Sequence, residues 1–445
     1  MSNEVKGWRA IPPALVVALV AWIGFMGFRI AYILGKSGDV PWSPRLGLAG
    51  DGIAMACYSL ALLGALELAR RSAGRLSLGA KIAAAGFALG LALELGTTLL
   101  NVDPDIWQKK WLGTALQYSY WASWATIGAG FAWAAWEEHR ALSIVGLVIA
   151  VLGDPPPFIA EPIFHALNLG YKSYLGVDST LRIVGTVVIL VLAAAVSRGE
   201  TPTDRTAGAE GLRLAARGMW LRVIVACSIV LITLMAMSSA RSGGGKGLLE
   251  MLRFMMMAGA VATTLAFAMF GLGIARTARA TISDLPRYPL ALSAAGSLWC
   301  CGVELSKLPF IYRMLYKNDR YSGYGDTDYM GAFALTEPLV AIAAVALVAI
   351  AIGKFASDRT TIALQSEAQG KGTGIVFMML AALAIQNWML PKAQSQGSMM
   401  MLMLLAAVAG LLAVVMIAKL CASAADEINR EPGLPTASVI PPGQA

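Results

Sequence analysis

The chain has 445 residues, of which 57% are apolar and only 14% charged. A soluble domain carries about 25% charged residues, so this composition excludes a disordered chain, a disulfide scaffold and an ordinary soluble enzyme. The formal charge of +8 is spread over short loops with no basic block, which excludes a nucleic-acid footprint and suits a membrane surface.

Apolar runs of about 20 residues recur along nearly the whole chain, each long enough to cross a hydrocarbon core of about 30 Å. They predict an all-α, polytopic integral membrane protein of about twelve transmembrane helices. The runs lie near 11–34, 46–69, 78–100, 112–136, 141–168, 179–197, 218–240, 247–275, 288–311, 329–353, 372–390 and 397–421. The first follows Lys6 and Arg9, is too long for a signal-peptide core, and reads as a retained span. The second carries Asp51 near its start and closes on the basic stretch Leu66–Ser77.

In the third run Gly86, Gly90 and Glu94 recur every fourth residue and share one helix face. Small residues let a neighbouring helix approach, and a carboxylate on that face is drawn into the bundle. The fourth run is aromatic, and Gln117, Trp121 and Trp124 share a face that could hold a cation through ring quadrupoles. The fifth is interrupted at Gly153-Asp154-Pro155-Pro156-Pro157. A glycine stop, an aspartate cap and a first-turn proline spell a broken helix, with Asp154 and the later Glu161-Pro162 pair as candidate binding groups. His165 lies one turn past Glu161 and reads as a hydrogen-bonded interior residue.

The polar stretch Arg198–Arg217 divides the chain into halves that resemble each other. Leu66–Ser77 finds an echo in Gly271–Ser283, and Ala84–Leu95 in Ala294–Leu305, with Gly296, Cys300 and Glu304 in the places of Gly86, Gly90 and Glu94. The implied organisation is two parallel six-helix repeats, 1–197 and 218–425, joined by a cytoplasmic linker at 198–217 and followed by a disordered tail at 426–445. In the tenth run Glu337 precedes Pro338, which frees a carbonyl to face a cavity. Lys307 is one turn from Glu304 and is its natural ion-pair partner. The Tyr-rich stretch Tyr316–Asp328 reads as a lid or a partner surface, and the methionine runs 255–257 and 399–401 as packing and not a copper site.

Basic residues favour the loops that share a side with the N-terminus, which predicts a multi-pass protein of an inner membrane with both termini cytoplasmic. There is no P-loop, HExxH or GxSxG. No catalytic, cofactor or metal residue is therefore assigned. The expected function is that of a secondary transporter, coupled to protons or cations through the paired Glu94 and Glu304 facing one cavity. Asp51, Asp154, Glu161, Glu337, Trp121 and Trp124 would complete the binding set. Expected partners are membrane lipid and a small molecule or ion. The alternatives are a non-transporting membrane subunit, or a membrane-embedded enzyme acting on a lipid-linked substrate.

Overall fold

The computed structural model describes residues 10–35, 44–102, 106, 109–152, 171–197, 203–239, 245–282, 284–312, 315, 327–359, 361–392 and 395–430. Among these residues every regular element is helical and there is no strand. In chain order the helices are α1 (Pro13–Gly35), α2 (Pro44–Arg71), α3 (Gly74–Leu100), α4 (Lys110–Ala135), α5 (Arg140–Leu152) and α6 (Tyr171–Val196). Then follow α7 (Arg205–Ser239), α8 (Gly245–Arg279), α9 (Arg287–Tyr312), α10 (Thr327–Asp358), α11 (Ile362–Ala384) and α12 (Gln396–Asn429). A π turn, Ile385–Met389, and a short 3₁₀ turn, Leu390–Lys392, extend α11.

Among the described residues, eight helices are long and apolar enough to cross a membrane: α1, α2, α3, α6, α8, α10, α11 and α12. Their outer faces carry large apolar side chains, such as Ile350 at 62% and Phe377 at 69% exposure. A soluble protein rarely shows contiguous apolar surface on this scale; hydrocarbon accommodates it. The protein is thus polytopic and located in a membrane. Two others fall short for visible reasons: α4 is rich in tryptophan and tyrosine, and α9 carries charge. Helix α9 tolerates charge because it lies inside the bundle, flanked by α8, α10, α2 and α1.

Each half closes on itself. Helices α1 to α6 pack in sequence and α6 returns to α1; α7 to α12 do the same, and α12 returns to α7. The halves meet mainly through α2 against α9. Close approach there rests on paired glycines: a Cβ on Gly302 would lie 2.7 Å from the Gly52 Cα. The α3–α4 and α7–α8 contacts use the same device, with Gly79 against Gly130 and Gly211 against Gly273. Backbones that approach this closely gain dispersion contacts that lipid cannot supply.

The expected linker at 198–217 is largely helical, because α7 begins at Arg205. Asp204 Oδ1 accepts the Ala207 N–H at 2.9 Å and caps the helix. Gly208 and Gly211 then seat it against α8 and the turn after it. Helix α12 likewise runs through Asn429, into the expected tail. The break at Gly153–Pro157, with Asp154, Glu161 and His165, lies outside the described residues, as does most of the Tyr316–Asp328 stretch.

Candidate functional site

Inside the C-terminal ring is a cavity of about 470 Å³ to which all six of its helices contribute. Arg222 enters from the middle of the 35-residue α7 and Phe267 from α8. Glu304 and Lys307 enter from α9, Glu337 and Pro338 from α10, Met379 from α11 and Gly410 from α12. Gln386 joins them from the π turn. Such a turn widens a helix by one residue and often marks a functional position.

Three ionic side chains form a compact cluster on one wall. Lys307 Nζ donates to Glu304 Oε1 at 3.0 Å and also donates to Glu337 Oε2. The side chains are between 10% and 16% exposed. Cys300 Sγ donates to the Glu337 carbonyl at 3.7 Å, and this tethers α9 to α10 next to the kinking Pro338. Charges at this depth are costly unless paired. One ammonium holding two carboxylates meets that requirement for the lysine and for one acid.

The N-terminal ring holds a related arrangement. Glu94 of α3 stands in electrostatic contact with Asp51 of α2 and with Tyr120 of α4. Thr97, three residues past Glu94, places its hydroxyl 3.5 Å from that of Tyr120. Thr97 stands three residues past Glu94, as Lys307 does past Glu304. The backbone agrees: Gly86 packs on Ser123 and Ile127 of α4, and Gly296 on Val340 and Ala344 of α10. Arg29 of α1 and Arg182 of α6 close the N-terminal set by binding the two oxygens of Asp178, at 3.3 and 3.1 Å.

The ring centres differ. Between α1, α2 and α4 the N-terminal ring is filled by Trp22, Tyr58 and Trp124, whose centroids lie 6.4 to 6.5 Å apart. Gly90 makes room for the Tyr58 ring. Trp124 lies four residues past Tyr120; four residues past Glu337 stands Ala341, which lines the cavity. A small side chain where the other half has an indole leaves the space open.

The structure therefore joins Glu304 with Glu337 and Lys307, and Glu94 with Asp51 and Tyr120. Glu94 does not line the cavity around Glu304, and Trp124 is buried core. Trp121 is half-buried on α4 and does not line the cavity. Arg222 and Gln386 were not among the expected site residues. Their signals in the sequence are an arginine within an apolar run, which is costly in a membrane, and one amide in another. A second buried network joins the halves. Glu67, 2% exposed, accepts from Arg71 on its own helix and, at 2.6 Å, from Arg287 at the start of α9. No protein-family model, no curated protein and no solved structure matches the chain.

Proposed function

We propose that this protein is a secondary carrier of a small solute, coupled to protons or another cation through Glu304 and Glu337. The observation that carries the reading is the cavity inside the C-terminal ring, with two carboxylates sharing one lysine at mid-helix depth. Protonating either acid, or binding a cation between them, changes the charge that Lys307 must balance. Helix α9 both lines the cavity and packs on α2 at Gly302, two residues before Glu304. Movement of the halves at that contact would reach the site directly. The two rings of like order support twelve spans in two parallel repeats, and Glu94 becomes the N-terminal counterpart of Glu304. The inner membrane, cytoplasmic termini and lipid as the surrounding partner complete the reading.

A second reading, a membrane subunit that binds a ligand without moving it, is favoured by one observation: among the described residues Trp22, Tyr58 and Trp124 fill the space between α1, α2 and α4 in the N-terminal ring. Reconstitution separates the two. Proteoliposomes containing a pH-sensitive dye should show solute-driven proton or cation movement when challenged with pooled small polar solutes. Glu304→Gln and Glu337→Gln should each lower that rate by about tenfold or more, equivalent to about 1.4 kcal/mol of lost coupling. Monodisperse protein that moves no solute under any imposed ion gradient would overturn the carrier reading.

A further inference from the structure

The Glu304–Lys307–Glu337 cluster leaves one charged side chain of the cavity unexplained. Arg222 projects into the same space from α7. Its guanidinium carbon stands 4.8 Å from the centroid of the Phe267 ring. Among the described residues it makes no hydrogen bond and no salt bridge. A guanidinium that faces a protein interior without a direct ion-pair partner is costly, because a ring face replaces only part of the lost hydration. It has the geometry of a receptor for a carboxylate, which it can grip with two parallel N–H donors.

The Glu304–Lys307–Glu337 cluster is the complement. Lys307 neutralises one of its two carboxylates, so with both acids ionised the triad keeps one excess negative charge. A cation without an ion-pair partner and a carboxylate in excess of Lys307 therefore face a single cavity of about 470 Å³, within the common range for small-molecule sites of about 300–1,000 Å³. The lining also includes the apolar Ile342, Met379, Leu411 and Val414. A dianion would be repelled by the carboxylates and a dication by Arg222.

We infer that the cavity binds a small zwitterion of amino-acid or betaine type, its carboxylate on Arg222 and its cationic group at the Glu304–Glu337 wall. Gln386 offers an amide to the bound molecule from the π turn. The inference rests on the proposal that this cavity is the ligand site, but not on the ligand being carried across the membrane.

The test is equilibrium binding to the purified full chain in detergent. The probes are L-leucine, 6-aminohexanoate and glycine betaine, set against isocaproate and isoamylamine, which each keep one of leucine's two charges. At least one zwitterion should bind about tenfold tighter than both singly charged analogues, the worth of one charge-assisted contact. Arg222→Gln should weaken that zwitterion by about tenfold or more and leave isoamylamine unchanged. Arg222→Lys should restore part of the loss. A folding defect would weaken every probe alike. The inference falls if a singly charged analogue matches every zwitterion, if none of the five probes binds, or if Arg222→Gln weakens all probes equally. Zwitterion binding without flux keeps this inference and removes the carrier. Flux of another solute without zwitterion binding removes this inference and keeps the carrier.

Discussion

Lys307 balances two carboxylates from adjacent helices, so its loss should be felt more than that of an ordinary surface lysine. Without it Glu304 and Glu337 repel each other in a poorly hydrated space. Breaking a buried ion pair by removing one partner costs about 3–5 kcal/mol. Lys307→Met should therefore lower stability by about 3 kcal/mol, read as a depressed midpoint of thermal unfolding in detergent. Adding Glu337→Gln removes the repulsion and should recover a clear part of that loss. If the double variant is no more stable than the single, the lysine serves packing and not charge balance. Single residues were also where the sequence spoke most plainly. Glu94, Glu304 and the Glu337-Pro338 step stand out because a carboxylate inside an apolar run is rare enough to need a reason. The sequence puts Glu304 and Glu337 in one binding set, but not their sharing of Lys307, because nothing local in either run says that α9 and α10 face each other there. Arg222 was passed over for a related reason: its meaning comes from the empty space in front of it, which depends on the sizes of side chains on five other helices.

Among whole elements, spacing of small residues proved the more readable signal. Gly86, Gly90 and Glu94 do face neighbouring helices, and the glycines do set the contact distance. The start of α7, inside the expected linker, is helical despite its polarity because Asp204 caps it and glycines 208 and 211 seat it. Helices α4 and α9 are less apolar than a lipid-facing span; α9 has other helices around it instead of lipid. The turns before α3 and α9 resemble each other in backbone as well as in sequence. They hold the two described residues with positive φ, Gly74 at 60° and Thr281 at 47°. Glycine takes that conformation freely, whereas a β-branched threonine does so under strain. Helix contact can be tested within α4 itself. A Cβ on Gly130 would lie 2.4 Å from the Ala83 nitrogen and 2.6 Å from the Gly79 oxygen, both main-chain atoms of α3 that cannot swing aside. Gly130→Ala should cost about 1–3 kcal/mol, the usual range for overpacking. Gly113 on the same helix meets nothing within 4 Å. Gly113→Ala should leave the unfolding midpoint unchanged or raise it slightly. Equal effects of the two would mean that α3 and α4 are not held at the glycine-set distance.

At the scale of the molecule, each half forms a ring of helices; among the described residues aromatic side chains fill the centre of one, and a cavity lies in the other. The filling is aromatic: Trp22, Tyr58 and Trp124 pack the first ring, although the indole N–H groups of both tryptophans find no partner among the described residues. Leaving buried donors unpaired is unfavourable, so the packing gained there must outweigh it. The hollow ring instead carries Ala341 at the place of Trp124, and with it an arginine, a shared lysine and two acids around open space. If that vacancy is what the second ring is for, restoring the missing aromatic should abolish function without dismantling the fold. Ala341→Trp puts an indole into existing volume beside Phe267 and Met379, so its unfolding midpoint should stay near that of the parent. Binding of the preferred zwitterion should fall below detection, and so should flux. The reciprocal change, Trp124→Ala, removes a well-packed indole and should cost about 3–5 kcal/mol. It should leave ligand affinity in the other ring within a factor of about three, since sites without shared partners are nearly independent. An Ala341→Trp protein that stays folded and still binds and moves its ligand would show that the cavity is a packing fault, and the functional site would have to be sought elsewhere in the bundle.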